Sequence, residues 1–377
     1  MPIQRPRILH AAQMAGTGVV SPSNLNERAQ RGGANRNLVH NGAMLVNQRG
    51  SSAITLSGLT PHIDRFTAYK ANAGTQTVEQ STDTPTGEGF KNSLKATCTV
   101  ADGSVASGDR VAIIHRLEGQ HCAHLMWGTA NAKTVTLSFY VKSSITGTHG
   151  GAFGNGSDNR AYPFTYTISS ADTWERKIIT VPGDTSGTWA TDNTRSIQIC
   201  WGLGVGTTNS GTAGAWESAD RNSATGATTA FLTTTNATWF LTGVQLEIGD
   251  TATAFEHEPF DITLRKCHRY LESIGYTAGS YVYAAAYAYG TTDVRAVQHY
   301  KVKRATPNFS FNNQGDVIVF YNGSSSDNDP NWNYHDIGLN SCRVSITLTG
   351  VSTTAGYGVA IYVNGSVTYD VIVKAEL

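Results

Sequence analysis

Hydrophobic and polar residues alternate along many short segments of this chain, the pattern of β-strands with one buried face. Residues 135–144 show it most clearly, with four apolar residues on one side: Val135, Leu137, Phe139 and Val141. Strand patterns also occupy residues 162–169, 175–183, 196–206 and 238–249. The sequence therefore predicts an all-β fold whose strands have one core face and one face open to water.

Long segments rich in Gly, Ser, Thr and Asn separate these strands. Residues 147–160 and 206–229 are the longest of them, and they contain few apolar positions that would pack into a core. Their length exceeds that of hairpin turns, so both are predicted as surface loops. Long loops on a sandwich are frequent carriers of binding residues.

One helix interrupts the strand pattern at residues 260–274. Asp261 is the expected N-cap, and one stripe of the helix is predicted to carry four residues: Leu264, Cys267, Leu271 and Ile274. A second strand-rich region follows and ends with a hairpin signal at Asn364 and Gly365. The predicted parts are an extended arm (residues 1–36), a large sandwich (37–258), a helical connector (259–275) and a smaller C-terminal sandwich (276–377).

The arm is basic and has no sustained periodicity. It carries a single acid, Glu27, against five arginines: Arg5, Arg7, Arg28, Arg31 and Arg36. A segment with this composition cannot build a core of its own. We expect these arginines to attach the chain to a partner protein.

Composition excludes several functions for the chain as a whole. Only 15% of its 377 residues are charged, and 28 basic residues balance 28 acidic ones, so no net charge attracts nucleic acid or an acidic membrane. We expect neither nucleic-acid binding nor membrane insertion, since no apolar run reaches the roughly 18 residues of a membrane span. Five scattered cysteines favour reduced core residues over a disulfide framework.

Candidate chemistry is sparse. His115, His121, Cys122 and His124 form the densest group of metal-ligand types, but in a strand His121 and Cys122 would point to opposite faces, so no metal and no cofactor are expected. No nucleophile elbow is present. A glycosidase needs two carboxylates across a groove, and six loop acids keep that alternative open: Asp158, Asp184, Glu217, Asp220, Asp327 and Asp329.

Four aromatic residues lie in polar, Gly- or Asn-rich loops: Trp189, Trp216, Trp332 and Tyr334. An exposed ring face stacks on a sugar, while neighbouring Asn and Asp side chains bond its hydroxyls. These residues are therefore the predicted glycan-binding set. The alternative is that their rings pack loops or subunits together.

A series of segments in a fixed order resembles the jelly-roll modules of tailed-bacteriophage fibre and structural proteins of the marine type. The resemblance covers roughly residues 37–310 and rests on NLVHNGAMLVNQRG, HIDRF, RLEGQH, TVTLSFYVKSS, DTWERKIITVPGDTSGTW, WFLTGVQLEIGDTATAFEHEPF, RKCHRYL and KRATPNF. It implies a jelly-roll β-sandwich in residues 37–258. That module is similar to carbohydrate-binding jelly rolls, whose calcium-binding acids are here replaced by Ala43, Met44, Thr242 and Gly243.

The resemblance implies a non-enzymatic virion protein, made in the host cytoplasm, that serves as a fibre or spike subunit and adheres to host-surface glycan. We expect a homotrimer, with the stripe of Leu264, Cys267, Leu271 and Ile274 meeting its symmetry mates and the arm binding capsid, portal or tail proteins. Two alternatives remain open: a tail-spike glycan depolymerase and a head decoration protein.

Overall fold

A computed structural model of the protein describes residues 36–276, 284–311, 317–321, 324–325, 331–348, 352–363 and 369–377. The arm before Arg36 and the predicted Asn364–Gly365 hairpin lie outside the described residues. Six strands open the fold: β1 (Ile54–Thr55), β2 (Gly58–Pro61), β3 (Phe66–Ala71), β4 (Thr75–Ser81), β5 (Ser93–Val100) and β6 (Arg110–Glu118).

Two short helices, two 3₁₀ turns and eight strands complete the first sandwich. These elements are α1 (Gly119–Cys122), a 3₁₀ turn (Ala123–Leu125), β7 (Val135–Ser143), β8 (Gly147–Asn155), β9 (Ala161–Ile168), β10 (Glu175–Val181), β11 (Arg195–Val205), a second 3₁₀ turn (Thr207–Asn209), β12 (Ser210–Gly211), β13 (Ser223–Ala224), α2 (Ala230–Thr233) and β14 (Thr238–Ile248). All five strands read from the sequence alternation are present, which confirms the all-β prediction.

Two antiparallel six-stranded sheets face each other in this sandwich. Sheet I has the order β1-β4-β5-β14-β7-β10, and sheet II has the order β2-β3-β6-β11-β8-β9. Residues that are far apart in sequence thus become neighbours, as in a jelly roll. The apolar sides of both sheets meet in one core, where Phe139, Trp201 and Trp239 are fully buried. Burial of such large side chains is the main stabilising term of the domain.

Part of the outer face of sheet I is covered and not open to water as predicted, although Ile178 of β10 is 52% exposed on the same face. Thr136 and Gln245 face outward, yet both are fully buried. The chain after β14 returns across this face: Thr136 donates a hydrogen bond to the Gly249 carbonyl (2.7 Å), and Gln245 donates one to the Ala254 carbonyl (3.2 Å). We call residues 249–258 the strap. It supplies hydrogen-bond partners to polar side chains that the strand alternation alone predicts to be solvated.

Strand β8 lies where a loop was predicted, and its glycines explain the error. Gly150 lies opposite Gly202 of β11 on the outer face of sheet II. A Cβ atom at Gly150 would lie 2.3 Å from the Ser223 hydroxyl and 2.9 Å from the Ala224 amide. The glycines let residues 206–229, the loop predicted between β11 and β14, pack directly on the strand.

The connector helix α3 (Phe260–His268) is shorter than predicted, and Pro259, not Asp261, is its N-cap. Leu271 and Ile274 belong to the next strand, β15 (Leu271–Tyr276), so the predicted stripe of Leu264, Cys267, Leu271 and Ile274 is wrong. Cys267 and Leu271 are each 1% exposed within a single chain. They are therefore not placed to meet symmetry mates.

Ten strands are found in the described residues of the second β region. After β15 come β16 (Ala284–Ala288), β17 (Asp293–His299), β18 (Asn308–Phe311), β19 (Val317–Tyr321), β20 (Ser324–Ser325), β21 (Asn331–His335), β22 (Ser341–Thr347), β23 (Gly358–Val363) and β24 (Tyr369–Lys374). A three-stranded sheet, β15-β24-β18, and a seven-stranded sheet, β20-β19-β23-β16-β17-β22-β21, enclose a separate core around Val344, Ile361 and Val371. The exact domain boundaries stay predictions.

Buried charges join the connector to both β regions. Glu118, at the end of β6, is fully buried and accepts two hydrogen bonds from Arg269 (2.9 and 2.8 Å). Lys303 is buried as well, and it donates to Glu272 (2.7 Å) and to the His268 carbonyl (2.6 Å). A buried charge is tolerated only with such partners, so these pairs fix the connector in place.

The close approach at Gly150 gives a stability test. We expect Gly150→Ala to lower the free energy of unfolding by about 1–3 kcal/mol, because the new methyl group forces the 206–229 loop off the strand. Urea denaturation followed by circular dichroism measures the change. Gly108→Ala is the matched control, since a Cβ there meets nothing within 4 Å. Equal stability of the two variants would contradict the packing of this loop on β8.

Candidate functional site

Trp189 and Trp216 form the centre of an aromatic cluster with Trp127. The ring centroids lie 4.7 Å apart for Trp127 and Trp189, and 5.5 Å apart for Trp189 and Trp216, all in edge-to-face geometry. Their indole N–H groups donate to the carbonyls of Ser186 and Pro182. Trp189 is only 8% exposed. The burial of Trp189 contradicts the prediction that its ring presents an open face to a sugar; it packs loops, which was the alternative. Trp216 is half-buried in the same cluster, so its role in glycan binding stays a prediction.

The two remaining aromatic residues of the predicted set lie in strand β21. The side chain of Trp332 lies outside the described residues. Tyr334 is half-buried and stacks on Phe309, with ring centroids 4.1 Å apart and an interplanar angle of 3°. One face of Tyr334 is therefore covered by the chain's own core.

Four of the predicted loop acids are held by arginines. Asp184 is buried and accepts two hydrogen bonds from Arg160 (2.8 and 2.6 Å), and Glu217 accepts one from Arg221 (3.1 Å). Each of these two carboxylates is therefore held by an arginine of the same chain. Asp158 and Asp220 have arginine partners too, Arg195 and Arg110. Asp327 and Asp329 lie outside the described residues.

Asp220 and Asp158 lie on the outer face of sheet II, where the 206–229 loop meets the strands. Arg110 lies over the Tyr69 ring, 4.4 Å from its centroid, and donates to Asn222 (2.7 Å). Burial and then the negative charge of Asp158 raise the pKa of Asp220. One carboxyl with a raised pKa near a second carboxylate is a feature of acid–base sites.

The predicted metal-ligand residues are dispersed. His115 lies in β6, while His121 and Cys122 lie in α1 and His124 in the following turn. Within the described parts of the chain, no three His, Cys, Asp or Glu side chains are grouped so as to hold a metal ion. The described helices are also too short or too polar to cross a bilayer.

An open groove lies on the outer face of the seven-stranded sheet. It encloses about 360 Å³ and is lined by Ala285, Ala286, Tyr287, Arg295, Ala296, Val297 and Arg343. We call it the tip groove. Strand pairing creates it, because Tyr287 of β16 lies directly opposite Arg295 of β17, and Val297 of β17 lies opposite Arg343 of β22. Side chains from three strands thus share one face.

The tip groove combines an open aromatic ring with two cations. Tyr287 is 47% exposed and Val297 is 57% exposed, and Ala285 shares their face, whereas Ala286 and Ala296 point toward the core. Arg295 lies over the Tyr289 ring, 3.2 Å from its centroid, and is held by Asp293 (3.0 Å). Such ordering holds the guanidinium group at the edge of the groove.

The second guanidinium group, that of Arg343, is anchored on the other side of the groove. It donates to Asp336 (2.8 Å) and to the Ser345 hydroxyl (3.3 Å). Its hydrogen bond holds the pKa of Asp336 below the usual range, so that carboxylate is charged at neutral pH. Each guanidinium carries five N–H donors, more than these contacts use. Further donors therefore remain for a ligand.

Sequence reasoning missed the tip groove because it looked for aromatic rings in loops. The signal was present in SYVYAAAYAYG, where Ala285, Tyr287 and Tyr289 recur at every second position and so share one strand face. Apolar and aromatic residues on a strand face that is expected to be polar are the signal that indicates a binding surface.

Comparison with known proteins gives similarities of fold only. No protein-family profile and no curated protein sequence matches the chain. The enzymatically active domain of tailspike protein 4 of bacteriophage CBA120 is similar at 11% identity and a TM-score of 0.30, over 57% of this chain. This chain spans 22% of the length of that tailspike chain.

Carbohydrate-binding modules are similar at the same level. A module of family 4 matches 56% of this chain and 99% of its own chain, at 13% identity and a TM-score of 0.28. The family 11 module of Clostridium thermocellum, in complex with a β-1,3-1,4-mixed-linked tetrasaccharide, matches 55% of this chain and 99% of its own, at 11% identity and a TM-score of 0.26.

Proposed function

We propose that the protein is a non-enzymatic bacteriophage virion protein, a fibre or spike subunit that adheres to host-surface glycan through the tip groove. The observation that carries this proposal is the ring of Tyr287, 47% exposed on the outer face of the seven-stranded sheet, directly opposite Arg295 of β17 and on the same face as Arg343 of β22. Adhesion needs a groove, an aromatic face and ordered donors, and this face supplies all three.

A sugar ring has a hydrophobic face of C–H groups and an edge of hydroxyls. The exposed face of Tyr287 matches the first, and the N–H groups of Arg295 and Arg343 match the second. Because ion pairs with Asp293 and Asp336 already order both guanidinium groups, little side-chain entropy is lost when a ligand binds.

The virion setting is supported by the sequence. The jelly-roll segments quoted above resemble those of phage fibre proteins, and the surface composition is rich in hydroxyl and amide groups. The basic arm, with Arg5, Arg7, Arg28 and Arg31, is proposed to attach the chain to other virion proteins. Arg36, the first described residue, donates to the Ala254 carbonyl of the strap (2.8 Å). The last residue of the arm therefore lies beside the strap.

Glycan adhesion is tested by binding to an array of bacterial surface polysaccharides. We expect Tyr287→Ala to weaken retention about tenfold or more, since an aromatic contact of this size contributes roughly 1.5–3 kcal/mol. Tyr287→Phe should retain most binding because the ring remains. Ile178→Ala is the control, as this side chain is 52% exposed on the first sandwich. Wild-type retention by Tyr287→Ala would remove the tip groove from the proposal.

We also propose a homotrimer, because the sheets of the second β region end in edge strands that a neighbouring copy covers. Light scattering at micromolar concentration should give three times the 40.3 kDa chain mass. A monomer would contradict this part. If Tyr287→Ala lowers the mass, the tip groove is a subunit contact and not a glycan site.

A depolymerase is the second candidate, favoured by the raised pKa of Asp220 beside Asp158. The main proposal expects no new reducing ends when the protein is incubated with purified surface polysaccharide. Release of reducing ends by the wild type and its loss in Asp220→Asn would establish the enzyme instead. Asp261→Asn, which changes an exposed carboxylate of α3, is the control.

A further inference from the structure

A second opening lies on the first sandwich, away from the strands of the tip groove. This cleft of about 390 Å³ is bounded by the start of the described chain, the turn before β5 and the segment that leads into α3. Its lining includes Asn37, Leu45, Phe90, Phe255, His257 and Phe260. We call it the phenylalanine cleft.

The walls of the phenylalanine cleft are aromatic and fixed. The Phe90 ring lies 5.0 Å from those of Phe255 and His257, and the last two lie 4.9 Å apart. His257 is tied to the Glu88 carbonyl through Nε2 (3.0 Å). Phe260 stands at the mouth and is 53% exposed. An exposed phenylalanine beside a rigid aromatic wall indicates a surface that an apolar segment covers.

The polar residues of the cleft favour a basic occupant. Its lining contains two carboxylates, Glu256 and Glu258, and one cation, Lys91. The arm before Arg36 carries four arginines and one glutamate, a net charge of 4 − 1 = +3. The lining thus has one net negative charge opposite a positive arm, and Lys266 already pairs with Glu258.

The described chain begins at this cleft. Asn37 lines it, and its backbone N–H donates to Glu256 (2.9 Å), so the point of attachment of the arm is at the cleft wall. The arm also supplies an apolar pair, Ile8 and Leu9, directly after Arg5 and Arg7. About 28 residues separate that pair from Asn37. A tether of this length gives a millimolar local concentration at a nearby site.

We infer that the phenylalanine cleft binds the N-terminal arm of the same chain, with Ile8 and Leu9 against Phe260 and the neighbouring rings and the arginines toward the carboxylates. The occupant is thus an apolar, basic peptide segment. This contact holds the arm on the body of the free protein, apart from any role of the tip groove.

The test uses the full chain with the photoreactive residue p-benzoylphenylalanine at position 260. Irradiation should cross-link position 260 to the arm, and peptide mass spectrometry should place the link within residues 1–20. The product should run at the mass of one chain. Changing Ile8→Asp and Leu9→Asp together should lower the yield about tenfold, because buried carboxylates oppose binding. The same photoreactive residue at position 178 is the control and should not cross-link to the arm.

Three outcomes would overturn the inference. The first is a cross-link to any region other than the arm. The second is a cross-linking yield that does not change when Ile8→Asp and Leu9→Asp are introduced. The third is a product with the mass of two chains, which would show that a neighbour's arm fills the cleft. The arm variant changes no residue of the described core, so misfolding does not confound the result. Glycan retention by the arm variant should equal that of wild type, which keeps this test independent of the tip groove.

Discussion

The buried carboxylate of Glu118 is the constraint on which the arrangement of the two β regions depends. It lies at the end of β6 with no exposed surface, and Arg269, just beyond α3, supplies both of its guanidinium hydrogen bonds. An unpaired carboxylate at that position would cost several kcal/mol, so the connector must return to this point. The chain's last residues add to the same junction, since Arg116 donates to the Leu377 carbonyl (2.7 Å) and Arg49 pairs with Glu376 (2.8 Å).

Strand alternation was sufficient to predict the core of the first sandwich, because a period of two is enforced wherever one face is buried. It failed at β8, where Gly150 and Gly151 carry no side chains and the pattern disappears. Those residues are glycines because other chain segments approach too closely for a Cβ atom. The helix was misjudged for a different reason: the spacing of three between Leu271 and Ile274 fits one face of a helix, but pairing with the distant strand β24 makes the segment a strand.

The candidate site was less predictable than the fold. Trp189 and Trp216 stand among polar residues in the sequence, but three indoles that meet edge to face bury one another. Local polarity therefore says little about the exposure of a large ring. The tip groove, in contrast, depends on the register of β16, β17 and β22. Register describes which residues of two distant segments pair with each other, so it cannot be predicted from either segment alone.

The two β regions differ in the outer faces of their sheets. On sheet II, Gly150 and Gly202 create a low floor, and the 206–229 loop fills it with Ser223. On the seven-stranded sheet, Ala285, Tyr287 and Val297 form an apolar strip beside Arg295 and Arg343, and among the described residues the groove there is open. Apolar surface left open costs free energy in water, and this cost is the physical reason to place the proposed ligand at the tip groove.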